Sequence, residues 1–84
     1  MDFGKALEAL KAGKQVHRTG WNGKGMFLYY VPANNYPAVT EVAKNTFGES
    51  VPYREYIAMK TVNNKVVPWV ASQSCLLAED WEVV

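Results

Sequence analysis

The fold is decided by the run Met26-Phe27-Leu28-Tyr29-Tyr30-Val31. Aromatic and β-branched residues of this kind are enriched in strands, so the run predicts a β-strand over residues 26–31. Pro32 ends it, because proline has no N–H with which to continue a ladder. Successive side chains of a strand point to opposite faces, so Tyr29 and Tyr30 should separate, one inward and one outward.

A helix should precede this strand and pack on its sheet. Four apolar residues recur at the i, i+3, i+4, i+7 spacing of one helical face: Phe3, Ala6, Leu7 and Leu10. Asp2 is suited to cap the first turn, and Gly13 follows the last periodic residue as a stop. The pattern predicts one amphipathic helix over residues 3–12.

Further strands and turns are predicted between this helix and strand and in the C-terminal half of the chain. Short alternating or apolar segments predict strands at 15–18, 56–62, 65–70 and 81–84. Three glycines between positions 20 and 25 favour a tight turn, and Asn63-Asn64 can supply the left-handed residues of a hairpin. Pro68 should limit the ladder of the fourth strand, and Ser72 should cap a helical turn through Leu77.

Residues 33–52 contain Asn, Pro, Gly and Ser without a clear period, and they predict a long loop with a helical turn near 39–44. A loop of this length in a compact domain is often functional or contacts a partner. The predicted fold class is α+β: one N-terminal amphipathic helix packed on a small, mostly antiparallel β-sheet. Residues 1–84 should form a single domain.

Composition excludes several classes of function. The formal net charge is +1, from nine Lys and Arg against eight Asp and Glu, and no basic block is present. DNA and RNA are therefore poor partners, whereas a small anionic ligand needs only one or two cations. One Cys and one His cannot build a disulfide or a Cys/His zinc site, which fits a reducing cytoplasm. No apolar run approaches the ~20 residues of a membrane span, and the N-terminus lacks the regions of a signal peptide.

Catalysis finds little support in the sequence. His17 has no neighbours that would form a nucleophile–base–orienter set. Cys75 lies beside Leu76 and Leu77, so we expect a buried, inert thiol. Walker, Rossmann and metalloprotease patterns do not occur. We therefore expect a protein that is not an enzyme and that needs no cofactor or metal.

Three tryptophans mark the segments best suited to bind a ring-and-phosphate ligand. Trp21 lies in a glycine-rich turn, where a core role is less natural, and it is the best candidate for stacking on a base. Trp69 precedes an apolar residue on a strand, so a core position and a pocket position are about equally expected. Trp81, close to two valines, is expected in the core.

Polar side chains accompany the tryptophans. Asn22 and Gln73 carry the amide that pairs with an adenine edge, although Asn22 can equally serve the turn. Lys24 offers a positive charge to a phosphate, unless it is only a solvated surface residue. Asp80 can accept from a ribose hydroxyl or a guanine edge, or it can simply order the last turn. Ser72 is best explained as a helix cap.

Four motifs, taken in order, resemble one known family. They are Gly20-Trp21-Asn22-Gly23-Lys24-Gly25-Met26, Met59-Lys60-Thr61, Val67-Pro68-Trp69-Val70-Ala71-Ser72-Gln73 and Leu76-Leu77-Ala78-Glu79-Asp80-Trp81. Together they are similar to the phage Thoeris anti-defence family, second type. The likeness covers residues 2–31 and 53–84, whereas residues 32–52 do not match. Cys75 stands where a polar residue is usual in that family.

The resemblance implies a sponge that binds and sequesters a cyclic ADP-ribose-type immune signal, glycocyclic ADP-ribose, without cleaving it. Cyclic dinucleotides are a further expected ligand class. The resemblance also implies a homotetramer with ligand pockets where protomers meet, acting in the cytoplasm of an infected bacterium. The carry-over reaches Trp21, Asn22, Lys24, Trp69, Ser72, Gln73 and Asp80. The alternative is a small protein-interaction module that directly inhibits a host defence protein through the 32–52 loop.

Overall fold

A five-stranded antiparallel sheet with a helix on one face dominates the structure, which is a computed structural model. It describes residues 1–21 and 24–84. In chain order the elements are α1 (Phe3–Lys11), β1 (Val16–Arg18), β2 (Phe27–Val31), β3 (Asn34–Pro37), α2 (Glu41–Phe47), β4 (Ser50–Tyr53), β5 (Tyr56–Lys60), β6 (Val66–Pro68), α3 (Gln73–Leu76) and β7 (Trp81–Val83). The predicted α+β class is confirmed.

The strand order of the sheet is β6-β5-β2-β1-β7, and each neighbouring pair is antiparallel. The register places Val16 opposite Leu28 and Leu28 opposite Met59. Residues opposite each other point to the same face, so these apolar side chains lie together. The strands are one to three residues shorter than the predicted ranges 15–18, 26–31, 56–62, 65–70 and 81–84.

The core lies between α1 and this face of the sheet. Five side chains are fully or almost fully buried there: Ala6, Leu10, Val16, Leu28 and Trp81. Tyr30 packs against them, whereas Tyr29 lies one residue away on the opposite face. The predicted separation of the two tyrosines is therefore confirmed.

Both ends of α1 carry the expected signals. The carboxylate of Asp2 accepts a hydrogen bond from the backbone N–H of Lys5 (2.9 Å). The helix ends at Lys11, one residue before the predicted end, and Gly13 follows in the left-handed region with φ of 89°. Within residues 1–21 and 24–84, no helix has the length and apolar character needed to cross a membrane.

The prediction of a loop over residues 33–52 is wrong. β3 and β4 form a two-stranded antiparallel sheet of their own, and α2 lies between them in the chain. The helical turn expected near 39–44 is a seven-residue helix, Glu41–Phe47. We call residues 34–53 the arm.

The caps of α2 and a ring contact between β3 and β4 stabilise the structure of the arm. The hydroxyl of Thr40 accepts the N–H of Ala43 (3.1 Å) to start α2, and Gly48 ends the helix with φ of 85°. The rings of Tyr36 and Tyr53 meet edge to face at 5.3 Å across the two strands. Such cross-strand aromatic pairs stabilise a ladder that has no hydrophobic period in the sequence.

The hairpin between β5 and β6 turns where the two asparagines predicted it. Asn64 adopts the left-handed conformation, with φ of 61°. The hydroxyl of Thr61 contacts the Asn63 side chain (2.7 Å) and accepts the N–H of Lys65 (3.0 Å). β6 is an edge strand that ends at Pro68, as expected for a residue that cannot donate to a ladder.

Candidate ligand-binding site

The three tryptophans meet in one cluster. Trp81 is buried at its centre, as predicted, with 1% of its surface exposed. Trp21 and Trp69 each approach it edge to face, with ring centroids 5.4 and 5.9 Å away. Phe3 of α1 packs on both Trp69 and Trp81 (5.8 and 5.4 Å). Trp21 and Trp69 are only half-buried, so each has a structural contact and still retains exposed surface.

The short helix α3 lies over this cluster. Its cap is Ser72, whose hydroxyl accepts the N–H of Cys75 (3.2 Å), so the predicted cap is confirmed. The indole N–H of Trp81 donates to the backbone carbonyl of Cys75 (2.9 Å) and fixes α3 to the core. Gln73 is the first residue of α3, and its side chain is exposed.

Asp80 is held by the chain itself. One carboxylate oxygen accepts the Arg18 Nε–H (2.8 Å), and the other accepts the Gly20 N–H (3.0 Å) and the Thr19 hydroxyl (3.4 Å). The hydrogen bond from Arg18 lowers the pKa of Asp80 below its usual value. Asp80 therefore orders the turn that leads into Trp21.

The sequence interpretation missed Arg18 as a residue of the site. Arg18 lies two positions after the buried Val16, so both side chains belong to the inward face of β1. An arginine on an inward face needs a charged or polar partner, which is the signal that could have identified it. The register places Arg18 opposite Trp81, and this brings its guanidinium beside Asp80.

The expectation of a buried, inert Cys75 needs correction. The thiol is half-buried, and Arg18 Nη1 lies 3.6 Å from its sulfur. Burial acts to raise the pKa of Cys75, but hydrogen bonds from Ser72 and Arg18 outweigh it and hold the pKa below the usual value. The apolar neighbours Leu76 and Leu77 do not bury the thiol, since both are themselves exposed.

A groove opens beside Trp69, between α1 and β5. It encloses about 460 Å³, and its lining is mainly apolar: Phe3, Leu7, Tyr30, Ile57, Trp69 and Leu76. Lys11 and Glu55 contribute charged groups to it. Trp69 thus faces both the aromatic cluster and a cavity, which agrees with the two positions expected for it.

The predicted site residues divide into three groups. Around α3 and the cluster lie Trp21, Trp69, Ser72, Gln73 and Asp80. Lys24 is exposed in the turn before β2. Asn22 lies outside the described residues.

The single histidine lies on the other face of the sheet. His17 Nε2 is 2.6 Å from the carboxylate of Glu82, its cross-strand partner. His17 and the buried Val16 are adjacent on β1, so they point to opposite faces. In the part of the chain that the structure describes, no three His, Cys, Asp or Glu side chains gather as a metal site would require.

The fold and the cluster define a small α+β domain with an aromatic surface built around a buried tryptophan. The Thoeris anti-defense 2-like domain model matches residues 1–84. The Thoeris anti-defense 2 protein of Bacillus phage SP01 is 45% identical over 87 aligned positions, covering 100% of this chain and 94% of the phage protein. The chain belongs to the Thoeris anti-defense 2-like family, and this membership supports an anti-Thoeris role.

Proposed function

We propose that this protein is a non-catalytic sponge that binds and sequesters glycocyclic ADP-ribose or a related cyclic ADP-ribose-type signal. The observation that carries the proposal is the pair of half-buried tryptophans, Trp21 and Trp69, which flank buried Trp81 beside α3. Aromatic stacking contributes ~1–3 kcal/mol per base where it has been measured by truncation. A preformed aromatic surface of this kind suits a ligand with a purine ring.

Polar groups around the cluster would orient the ligand. Gln73 presents an exposed amide on α3, and an amide pairs with an adenine edge. Lys24 is an exposed cation suited to a phosphate, and Asn22 is the second amide. Asp80 would act by holding the turn before Trp21, since both of its oxygens already accept hydrogen bonds from the chain. Cyclic dinucleotides share the ring-and-phosphate chemistry and are a second ligand class to test.

Binding without cleavage is the form of the proposal that the geometry supports. His17 is paired with Glu82 on the face of the sheet opposite the core. The Cys75 sulfur lies beside the Arg18 guanidinium, which is not a general base. These placements separate the imidazole from the tryptophan cluster.

One experiment tests sequestration against cleavage. The protein is saturated with glycocyclic ADP-ribose, filtered to remove free nucleotide, and then heated until it denatures. The released nucleotide is analysed by chromatography and mass spectrometry. Recovery of unaltered glycocyclic ADP-ribose is the expected result, and a cleaved product would rule out the sponge in favour of an enzyme.

Calorimetry of Trp21→Ala tests the aromatic surface. We expect this variant to lose binding while it remains folded, because the buried ring at the centre of the cluster is Trp81. Tyr29→Ala, which removes a partly buried ring from the face of the sheet opposite the core, is the matched control and should bind normally. Equal affinity of Trp21→Ala and the unmodified protein would show that Trp21 only packs.

We also propose that the protein works as a homotetramer. The chain exposes 6003 Å², whereas a compact monomer of this mass exposes roughly 5,000 Å². Its radius of gyration is 15.1 Å, against about 12 Å for a compact chain of this length. The excess area exceeds the roughly 800 Å² that one partner contributes to a standard interface. A second copy that covers the excess would explain both departures.

The arm is the surface that best accounts for this excess. Its strands pair with each other and α2 packs on β4, which leaves large apolar side chains exposed: Tyr36, Val39, Val42, Phe47 and Tyr53.

The exposed apolar surface of the arm also favours the alternative function, in which the arm binds a host defence protein directly. That alternative predicts a stable complex with a host protein and no rise in melting temperature on adding nucleotide, whereas a sponge must be stabilised by its ligand.

A further inference from the structure

We propose that Arg18 is a positioning residue that locks the segment carrying Trp21 to the segment carrying α3, and so fixes the two walls of the ligand site. The inference rests on the proposed binding function of the tryptophan cluster. Arg18, at the end of β1, is not among the residues expected to touch the ligand. Its role follows from two contacts of its guanidinium and from the hydrogen bonds that its partner Asp80 makes to the turn carrying Trp21.

The two guanidinium contacts join β1 to the C-terminal segment. Arg18 Nε donates to Asp80 Oδ1 at 2.8 Å, and Arg18 Nη1 lies 3.6 Å from Cys75 Sγ. Asp80 immediately precedes β7, whereas Cys75 is within α3. One planar guanidinium therefore holds both ends of the connection from α3 to β7, and its fixed fork of donors suits two acceptors at once.

The turn that carries Trp21 is held by a backbone hydrogen bond, which does not involve the guanidinium, and by Asp80. The backbone N–H of Trp21 donates to the carbonyl of Arg18 (3.1 Å). Asp80 reinforces the same turn, because its carboxylate accepts the Gly20 N–H and its carbonyl accepts the Thr19 N–H (3.0 and 3.1 Å). The turn and α3 are thus tied through one ion pair.

The Arg18–Asp80 pair is placed to act as a clamp and not as a surface ion pair. The Arg18 side chain is 22% exposed and that of Asp80 31%, whereas the other arginine, Arg54, is 93% exposed. Arg54 pairs with its neighbour in sequence, Glu55, at 3.4 Å. The two arginines therefore form a natural pair of test and control.

A fixed site binds more tightly because less freedom is lost when the ligand enters. Trp21 belongs to the turn after β1, and Gln73 belongs to α3, so the backbone between them does not fix their separation. Lysine at position 18 keeps the charge but lacks the rigid planar fork of donors, so it should loosen either the Asp80 or the Cys75 contact. Loss of preorganisation should then appear in affinity more than in global stability.

The experiment compares R18K with R54K by titration calorimetry with glycocyclic ADP-ribose and by thermal unfolding. We expect R18K to bind on the order of tenfold more weakly, the size typical of residues within one hydrogen-bond network, while R54K is unchanged. D80N should show a similar loss, and R18K combined with D80N should lose little more than either alone. Unchanged affinity of R18K, or fully additive losses in the double variant, would overturn the proposal.

Backbone amide exchange separates this inference from the proposed function. In the ligand-free protein, the amide of Gly20 should exchange faster in R18K than in R54K, since its acceptor is the Asp80 carboxylate that Arg18 holds. If the unmodified protein binds no nucleotide, the proposed function fails, and this comparison still decides whether the clamp exists. Equal exchange at Gly20 in both variants would refute the clamp whatever the ligand.

Discussion

Replacing Val42 with alanine should weaken self-association without unfolding the arm. Val42 lies in α2 and is 76% exposed, so it makes few contacts within its own chain. Alanine has a higher helix propensity than valine, and the substitution should not destabilise α2. Any loss of assembly therefore reports a contact with another copy.

The size of the effect follows from the exposed area. Val42→Ala removes two carbons, and each buried carbon of this kind contributes about 0.8 kcal/mol. With about three quarters of the side chain exposed, the loss is about 1.2 kcal/mol per copy if the interface covers it fully. In a two-fold symmetric contact it counts twice, so association should weaken about 60-fold.

Sedimentation equilibrium over a range of protein concentrations measures this change. Val62→Ala is the matched control, because Val62 is also largely exposed (56%) but lies between β5 and β6, outside the arm. We expect a shift in the association constant for Val42→Ala and none for Val62→Ala. An unchanged constant for Val42→Ala, or equal shifts in both variants, would refute the arm as the interface.

Three further predictions concern local features. Ser72→Ala removes the cap of α3 and should destabilise the fold by about 0.5–2 kcal/mol in urea unfolding, with ligand affinity reduced because α3 carries Gln73. Asn64→Gly should be tolerated because Gly favours positive φ, whereas Asn64→Val should lower the melting temperature. Ionised Asp80 stabilises the fold at pH values above the usual carboxyl range, and this contribution is lost as the pH falls through its lowered pKa. Acidification should therefore lower the melting temperature more in the unmodified protein than in Asp80→Asn.

Elements defined by local signals were predictable from the sequence. The apolar stripe of α1, its Asp2 cap and its Gly13 stop all lie within one short segment, and the structure has each of them. The aromatic run of β2 and the turn at Asn64 are equally local. In each case the residues that decide the structure are near neighbours in the chain.

The arm was not predictable in the same way, because its strands form only when residues that are distant in the sequence pair with each other. β3 and β4 have no alternation of buried and exposed positions, since seven of their eight residues are exposed. The signals that exist are the cap at Thr40 and the glycine at position 48, which bracket α2. Neither indicates that the flanking segments form a ladder.

The candidate site shows the same division. The burial of Trp81 and the cap at Ser72 follow from local context, and both are present. The role of Arg18 depends on the sheet register, which places it opposite Trp81 and beside Asp80, 62 positions along the chain. A single sequence does not indicate which carboxylate meets an inward arginine.

The arrangement of the tryptophans bears on the proposed binding of a nucleotide by so small a domain. A tryptophan has only two side-chain torsions, and Trp21 and Trp69 are already fixed by their edge-to-face contacts with Trp81. Stacking on either ring would therefore cost little conformational freedom, and the exposed part of each indole stays available to a base. The buried Trp81 is the ring that holds the other two in place, so under the proposed function it should contribute to affinity without contacting the ligand. Trp81→Phe keeps an aromatic core but removes the N–H that holds α3, and it should weaken binding even though no contact with the ligand is lost.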